Sequence, residues 1–258
     1  MDGWMLKMRA MILAAGLGTR LRPITYQIPK PLVPIFQVPL IRYVLEVLKT
    51  AHIQDVMVNL HYLPKPLKQY LNTQKDFNIS YSFEPEILGT GGGILKVKNF
   101  FKNEPFIVIN SDIIMRLDLK KVLKFHVQHK SLATMVTRPL KPTETYESLG
   151  IHPKTGRIIQ FKSKTIKPPL LKAMFTGIHI FEPEIFNYFP KNKKFFCINN
   201  DVYAHLIKKK MNVFGYIHQG PWYDIGSLDL YLKYNQDLKL KRSFLKLFPG
   251  IIFPKSTA

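Results

Sequence analysis

The chain has 258 residues, 46% of them hydrophobic and 18 of them phenylalanine, which suits one large domain with a substantial core and excludes a disordered chain. No apolar run approaches the ~20 residues of a membrane span, no long apolar leader precedes the first strand, and the single cysteine, Cys197, excludes an internal disulfide or a cysteine metal cluster, so a reducing cytoplasm is expected. The net charge of +21 is uneven, +5 over 1–118 and +16 over 119–258; nucleic acid or an anionic membrane surface is an alternative partner, but singly scattered lysines and short runs such as Lys208-Lys209-Lys210 fit solvated helix faces better.

In chain order, Met1 to Met8 reads as a ragged start, and Ala10 to Ala15 as a short buried strand. Gly16 and Gly18 then allow a tight turn whose N–H groups can face one anion, and a phosphate is the obvious candidate. Arg20 and Arg22 follow at once, and Pro29 and Pro31 bracket Lys30 in a stiff extended segment that continues to Phe36. Neither general phosphate fingerprint is matched, because no G-x-x-x-x-G-K-[ST] and no third glycine for G-x-G-x-x-G is present. Leu40, Val44, Leu45 and Leu48 predict a helix from Pro39, Asp55–Asn59 a strand, Leu67–Leu71 a helix, and Asn78–Phe83 a third strand. Alternation of this kind implies βαβ units on a largely parallel sheet, with ligands at the carboxyl ends of the strands.

Leu88-Gly-Thr-Gly-Gly-Gly-Ile94 reads either as a flexible loop or as a glycine-rich helix entry offering a flat base a surface of main chain. The strand ending at Asn110 leads to Asp112, placed to bind a metal beside phosphates or simply to cap a turn. A helix follows Asp118; His126 and His129, three apart on it, lack an acidic or cysteine partner nearby in sequence and read as surface or half-buried residues rather than ligands. Leu132–Arg138 is a strand, and segments 149–151 and 157–161 suggest a hairpin over the site. Ala173–Phe181 is a strand that Gly177 should weaken unless a ligand or backbone approaches closely. Glu182 to Glu184 opens a short helix, Asp201–Lys209 is another, and Met211–His218 is a strand. Ser227 is the expected N-cap of a helix over 228–241, and 244–253 reads as an apolar tail.

Taken together, G-x-G-T-R-x-R-P over 16–23 and P-K-P over 29–31 resemble the signature of the sugar-1-phosphate nucleotidyltransferases, over about 8–237. The stretch L-G-T-G-G-G-I is similar to that of N-acetylmuramate-1-phosphate uridylyltransferases and also to the L-G-T-A-G of mannose-1-phosphate guanylyltransferases, and Trp222-Tyr-Asp224-Ile-Gly226-Ser227 resembles W-x-D-[IV]-G-[ST]. The resemblance implies a Rossmann-like, GT-A-like α/β fold with a mostly parallel central sheet flanked by helices and a small sugar-binding β-region. It implies a single domain over 8–241, its nucleotide part about 8–138 and its sugar part about 139–226, a tail over 242–258, and no left-handed β-helix domain. It implies Arg20 and Lys30 as catalytic cations and Leu13, Ala14, Ala15, Gly16, Gly18, Thr19, Thr90, Gly91, Gly92 and Asn110 around the nucleotide. Gly150, Thr176 and Gly177 would meet the sugar, and Asp112 and Asp224 would bind Mg²⁺. The implied partners are a nucleoside triphosphate and a sugar 1-phosphate. Uridylyl transfer to an amino-sugar 1-phosphate stands slightly ahead of guanylyl transfer to mannose 1-phosphate, with a catalytically silent regulatory relative as the other class. One departure is local: where many relatives carry Phe-x-Glu-Lys-Pro, this chain has Phe161-Lys-Ser163-Lys-Thr165, without the acid expected to accept from sugar hydroxyls.

Overall fold

The structure, a computed structural model, describes residues 8–253, so all of the expected ragged start but Met8 lies outside the described residues. In strand β1 (Arg9–Leu13), Ala10 and Ile12 face one layer of the core and Met11 the other, and all three are buried. That double-sided burial is why the strand reads as a continuous apolar run rather than an alternating one. A two-residue ribbon, β2 (Pro34–Ile35) and β3 (Val38–Pro39), leads into α1 (Leu40–Thr50), followed by β4 (Asp55–Leu60), α2 (Pro64–Leu71) and β5 (Asn78–Phe83). Next come α3 (Gly89–Lys96), β6 (Phe106–Asn110), β7 (Ile113–Met115), α4 (Leu119–Gln128) and β8 (Ala133–Pro139). Strands β9 (Ser148–Ile151), β10 (Ile158–Phe161) and β11 (Leu171–Phe181), then α5 (Ala204–Lys208), β12 (Val213–Ile217), β13 (Trp222–Asp224), α6 (Leu228–Gln236) and α7 (Leu238–Leu247) complete the chain.

The sheet runs β10-β9-β11-β6-β1-β4-β5, and β12 joins through β8 to β11. Strands β6, β1, β4 and β5 are parallel, as the alternation of short strands and helices implies. Apolar residues of α1, α2 and α4 cover one face, and those of α3 and α5 the other. Strand β11 runs antiparallel to its neighbours and changes partner along its length, pairing with β9 over 171–174 and with β6 over 178–181. The change falls at Gly177, whose φ of +105° favours glycine, and the pairing with β8 breaks there as well.

Several local expectations are corrected. Residues Lys30–Leu32 form a 3₁₀ turn instead of extended chain. The glycines 89–93 are helical from the start, so the helix they were expected to introduce already contains them. The hairpin β9–β10 extends the main sheet. The helix expected over 228–241 breaks at Asp237, whose side chain accepts from Leu240 N at 2.9 Å and so caps a second helix. The expected tail is therefore mostly α7 and its continuation: Phe244, Phe248 and Ile251 are buried against Tyr43, Phe36 and Leu40, with Phe244 edge-on to Phe36 at 5.1 Å. His126 is buried, its ring nitrogens engaging Thr134 Oγ1 and Glu182 Oε1, while His129 lies against Phe125. Both histidines hold α4 in place.

Candidate active site

A cleft of ≈ 370 Å³ opens at the carboxyl ends of β1, β4 and β6, the edge of a parallel sheet where ligands collect. One wall is the turn after β1. There Gly18 takes φ +65°, its carbonyl accepts from Thr25 Oγ1 at 2.8 Å, and a Cβ on it would press Thr25 and Lys30 at 3.0 and 3.1 Å. Gly18 thus lets the turn lie against the Lys30 segment. Leu13, Ala14, Ala15, Gly16, Gly18, Thr19, Arg20 and Lys30 all line the cleft, as do Asn110, beside Leu13 on the next strand, and Asp112. Arg22 does not: its guanidinium stacks over Tyr26 at 5.0 Å.

Lys30 Nζ meets Asp112 Oδ2 at 2.5 Å. Asp112 leads directly into β7, and β13 pairs antiparallel with β7 so that Asp224 stands opposite Ile113. Ile225 N also donates to the Asp112 carbonyl at 3.3 Å. Two acids more than a hundred residues apart in sequence are thus held on adjacent arms of one short ribbon. Burial pushes the Asp224 carboxyl above the usual range and the charge of Asp112 adds to the effect; Lys30, Arg20 and the hydroxyl of Tyr146 pull the other way. Tyr146 donates to Asp224 Oδ2 at 3.3 Å. A Cβ on Gly226 would come within 2.9 Å of both Asp224 carboxylate oxygens and 3.2 Å of an Arg20 nitrogen, which places that guanidinium beside the acid. Among the described residues no group of three or more His, Cys, Asp or Glu is arranged to hold a metal. The hard oxygen donors on offer are the Asp112 and Asp224 pair, a number suited to a cation that completes its shell with phosphates and water.

The opposite wall differs from expectation. Thr90 lines the cleft with Ile87 and Gly89, but Gly91 and Gly92 lie behind it. A Cβ on Gly91 would overlap the Phe196 ring, and one on Gly92 the Lys194 carbonyl oxygen. Gly91 N donates to Phe196 O at 2.9 Å, and Thr90 Oγ1 accepts from Ile198 N at 2.9 Å. These glycines admit the 194–198 segment against α3. The expected sugar residues also lie elsewhere. Thr176 is buried with its hydroxyl on the Val136 carbonyl, Gly150 packs on Gln160 and Leu170, and neither borders the cleft. Gly177 acts at one remove, since a Cβ there would press Asn110 Cβ and Nδ2 at 3.3 Å. Ser163 turns away, its hydroxyl donating to Thr165 O.

Sequence reasoning missed the floor of the cleft. Ala14 N donates to Asn59 Oδ1 at 2.7 Å, Asn59 Nδ2 donates to Glu84 Oε1 at 2.8 Å, and Leu88 N donates to Glu84 Oε2 at 3.0 Å. Both polar side chains are almost fully buried and both line the cleft. They connect the turn after β1 to the start of α3. The available signal was positional: Asn59 stands near the carboxyl end of the apolar strand β4, and Glu84 directly follows β5.

Residues 9–241 match the family model described as nucleotidyl transferase. A UTP–glucose-1-phosphate uridylyltransferase of Synechocystis sp. is 34% identical over 240 residues, covering 87% of this chain and 61% of that protein, so the chain spans about three fifths of its length. A D-glycero-alpha-D-manno-heptose 1-phosphate guanylyltransferase of Aneurinibacillus thermoaerophilus is 30% identical over 233 residues, covering 90% of this chain and 99% of that one. The crystal structure of HddC from Yersinia pseudotuberculosis is similar with a TM-score of 0.73 and 25% identity, over 89% of this chain and 98% of that one.

Proposed function

This chain belongs to the nucleotidyl transferase family, and from that premise we propose that it transfers a nucleotidyl group from a nucleoside triphosphate to a sugar 1-phosphate. A phosphate oxygen of the sugar 1-phosphate attacks the α-phosphorus, the bond from that phosphorus to the bridging oxygen breaks, and pyrophosphate leaves with the electron pair. The observation that carries the reading is the meeting of Lys30, Arg20 and Asp112 at one cleft whose wall is a glycine turn, with Asp224 beside them behind Gly226 at its edge.

Two polyanions must be brought together, so the task is alignment and charge compensation rather than covalent help. The turn 16–18 and Arg20 would hold the leaving pyrophosphate, with backbone N–H groups facing its oxygens. Lys30 would move its charge from Asp112 onto the α-phosphate as negative charge builds there. Asp112 and Asp224 would hold Mg²⁺, which when bound supplies positive charge between the two reactants. The buried bonds of Asn59 and Glu84 would keep the two walls in register.

For the base we favour guanine over uracil on the heptose relative rather than on a residue of the cleft, since Asn59 Nδ2 and Leu88 N take both Glu84 oxygens. Guanylyl transfer is the reaction named for the heptose relative matched over nearly its whole length.

Pyrophosphate release measured with four triphosphates against several sugar 1-phosphates tests the reading. GTP is expected to outpace UTP by at least about tenfold, the value of roughly one hydrogen bond; the reverse order overturns the base assignment. Release with no pair would make the chain a binding relative without the reaction. Lys30→Ala is expected to lower kcat about 10²–10³-fold with little change in KM for the triphosphate. A change confined to KM would reduce Lys30 to a binding residue.

A further inference from the structure

Helix α7 has two unlike faces. Inward, Phe244 and the following Phe248 and Ile251 are buried in the cluster around Tyr43. Outward, Leu238 is 72% exposed and Leu245 47% exposed, and seven residues apart they lie on one line of the helix, ~10 Å from each other. Round the same outward arc Lys239, Arg242 and Lys246 are exposed. Beyond the helix Ile252, 93% exposed, is the most exposed large hydrophobic residue among those described. Asp237, at the start of the helix, is engaged as the cap of α7.

Exposed single aliphatics are ordinary, and so are exposed lysines. The combination on one helix face, with Ile252 exposed five residues past the helix, in the half of the chain that carries +16 of the +21 charge, is what needs an occupant. We infer that the outward face of α7 docks on an anionic lipid bilayer, with Leu238, Leu245 and Ile252 entering the acyl boundary and Lys239, Arg242 and Lys246 meeting lipid phosphates. A polyanion such as nucleic acid would satisfy the cations but would leave the three aliphatics without a role. A lipid surface uses both, because apolar burial and attraction to anionic headgroups add in interfacial helices. This is peripheral attachment, and among the described residues no helix is long and apolar enough to cross a membrane.

Flotation of the full chain with phosphatidylcholine vesicles, with and without about a third phosphatidylglycerol, tests the proposal. Flotation is expected with the anionic vesicles only. Joint Lys239→Gln, Arg242→Gln and Lys246→Gln should weaken it about a hundredfold, near fivefold per cation, and joint Leu238→Ser, Leu245→Ser and Ile252→Ser tenfold or more. Thermal unfolding of each variant within a few degrees of the parent shows that the fold is kept. No flotation on anionic vesicles, equal flotation on neutral ones, binding undiminished in the serine variant, or binding to a DNA duplex in place of vesicles overturns it.

Discussion

In the turn after β1, a Cβ on Gly16 would meet no protein atom within 4 Å, whereas in α3 one on Gly91 would overlap the Phe196 ring and one on Gly92 the Lys194 carbonyl oxygen. Both stretches border one cleft and both are glycine-rich, so in the sequence they look alike. They differ in what fills the place of the missing side chain. At α3 the protein fills it, and the helix is as well packed as a core helix despite the poor helix propensity of glycine. At Gly16 the protein leaves the approach to the backbone open, which suits a turn meant to hold a ligand's phosphates. Glycine counts therefore locate close approaches without saying whether the approaching group belongs to the chain or to a substrate.

Substitutions break the resemblance between the two stretches in different assays. Gly91→Ala has the largest expected effect, a loss of about 3 kcal/mol or more, because overpacking a filled site forces the ring or the helix to move; chemical denaturation measures it, and a loss below ~1 kcal/mol would mean that Phe196 yields easily. Thr90→Val comes next. It removes the acceptor of the buried Ile198 N–H, so a loss of about 1–3 kcal/mol is expected, read in the same experiment. Gly16→Ala is expected to leave stability within ~0.5 kcal/mol and to raise KM for the triphosphate about tenfold, near 1.4 kcal/mol of binding. Equal destabilisation by Gly16→Ala and Gly91→Ala would erase the distinction.

The same contrast explains how far the sequence was readable. Elements with strong periodicity came through with bounds close to those observed, β5 and α1 above all. The first wall of the cleft was legible because Gly16, Gly18, Arg20 and Lys30 are neighbours in sequence and their chemistry is local. The union of Asp112 with Asp224 was legible only through the family resemblance, since it depends on β13 pairing with β7 across more than a hundred residues. The packing of Gly91 and Gly92 on the distant segment 194–198 is announced by no local pattern. The bond of the Thr176 hydroxyl to the Val136 carbonyl of the neighbouring strand is equally silent in the local pattern. The span 244–253 reads only as an apolar tail because α7 is short and Phe244 packs on the distant Phe36 and Tyr43.

The smallest expected effect compares two acids of the cleft. Both Glu84 oxygens accept hydrogen bonds from Asn59 and Leu88, whereas Asp224 accepts from Tyr146 alone among the described residues and stands beside the like charge of Asp112. Burial and that neighbour raise the Asp224 pKa above its ordinary 3.8. At pH below that ordinary value the carboxyl is protonated in folded and unfolded chain alike, and its ionisation costs nothing. As pH rises, the unfolded chain ionises first and the folded one only later, so stability falls until pH passes the raised value and then levels off. Asp224→Asn keeps an acceptor for Tyr146 and removes the charge. In chelator and without nucleotide it is expected to raise Tm at neutral pH, with the gain shrinking toward zero near pH 4. Glu84→Gln, which exchanges a satisfied acceptor for an amide that must turn a donor toward Asn59 or Leu88 N, should lower Tm at neutral pH instead. An Asp224→Asn variant less stable than the parent at neutral pH, or a gain that does not vary with pH, would mean that the acid is held at no cost and that the site is not assembled against the stability of the fold.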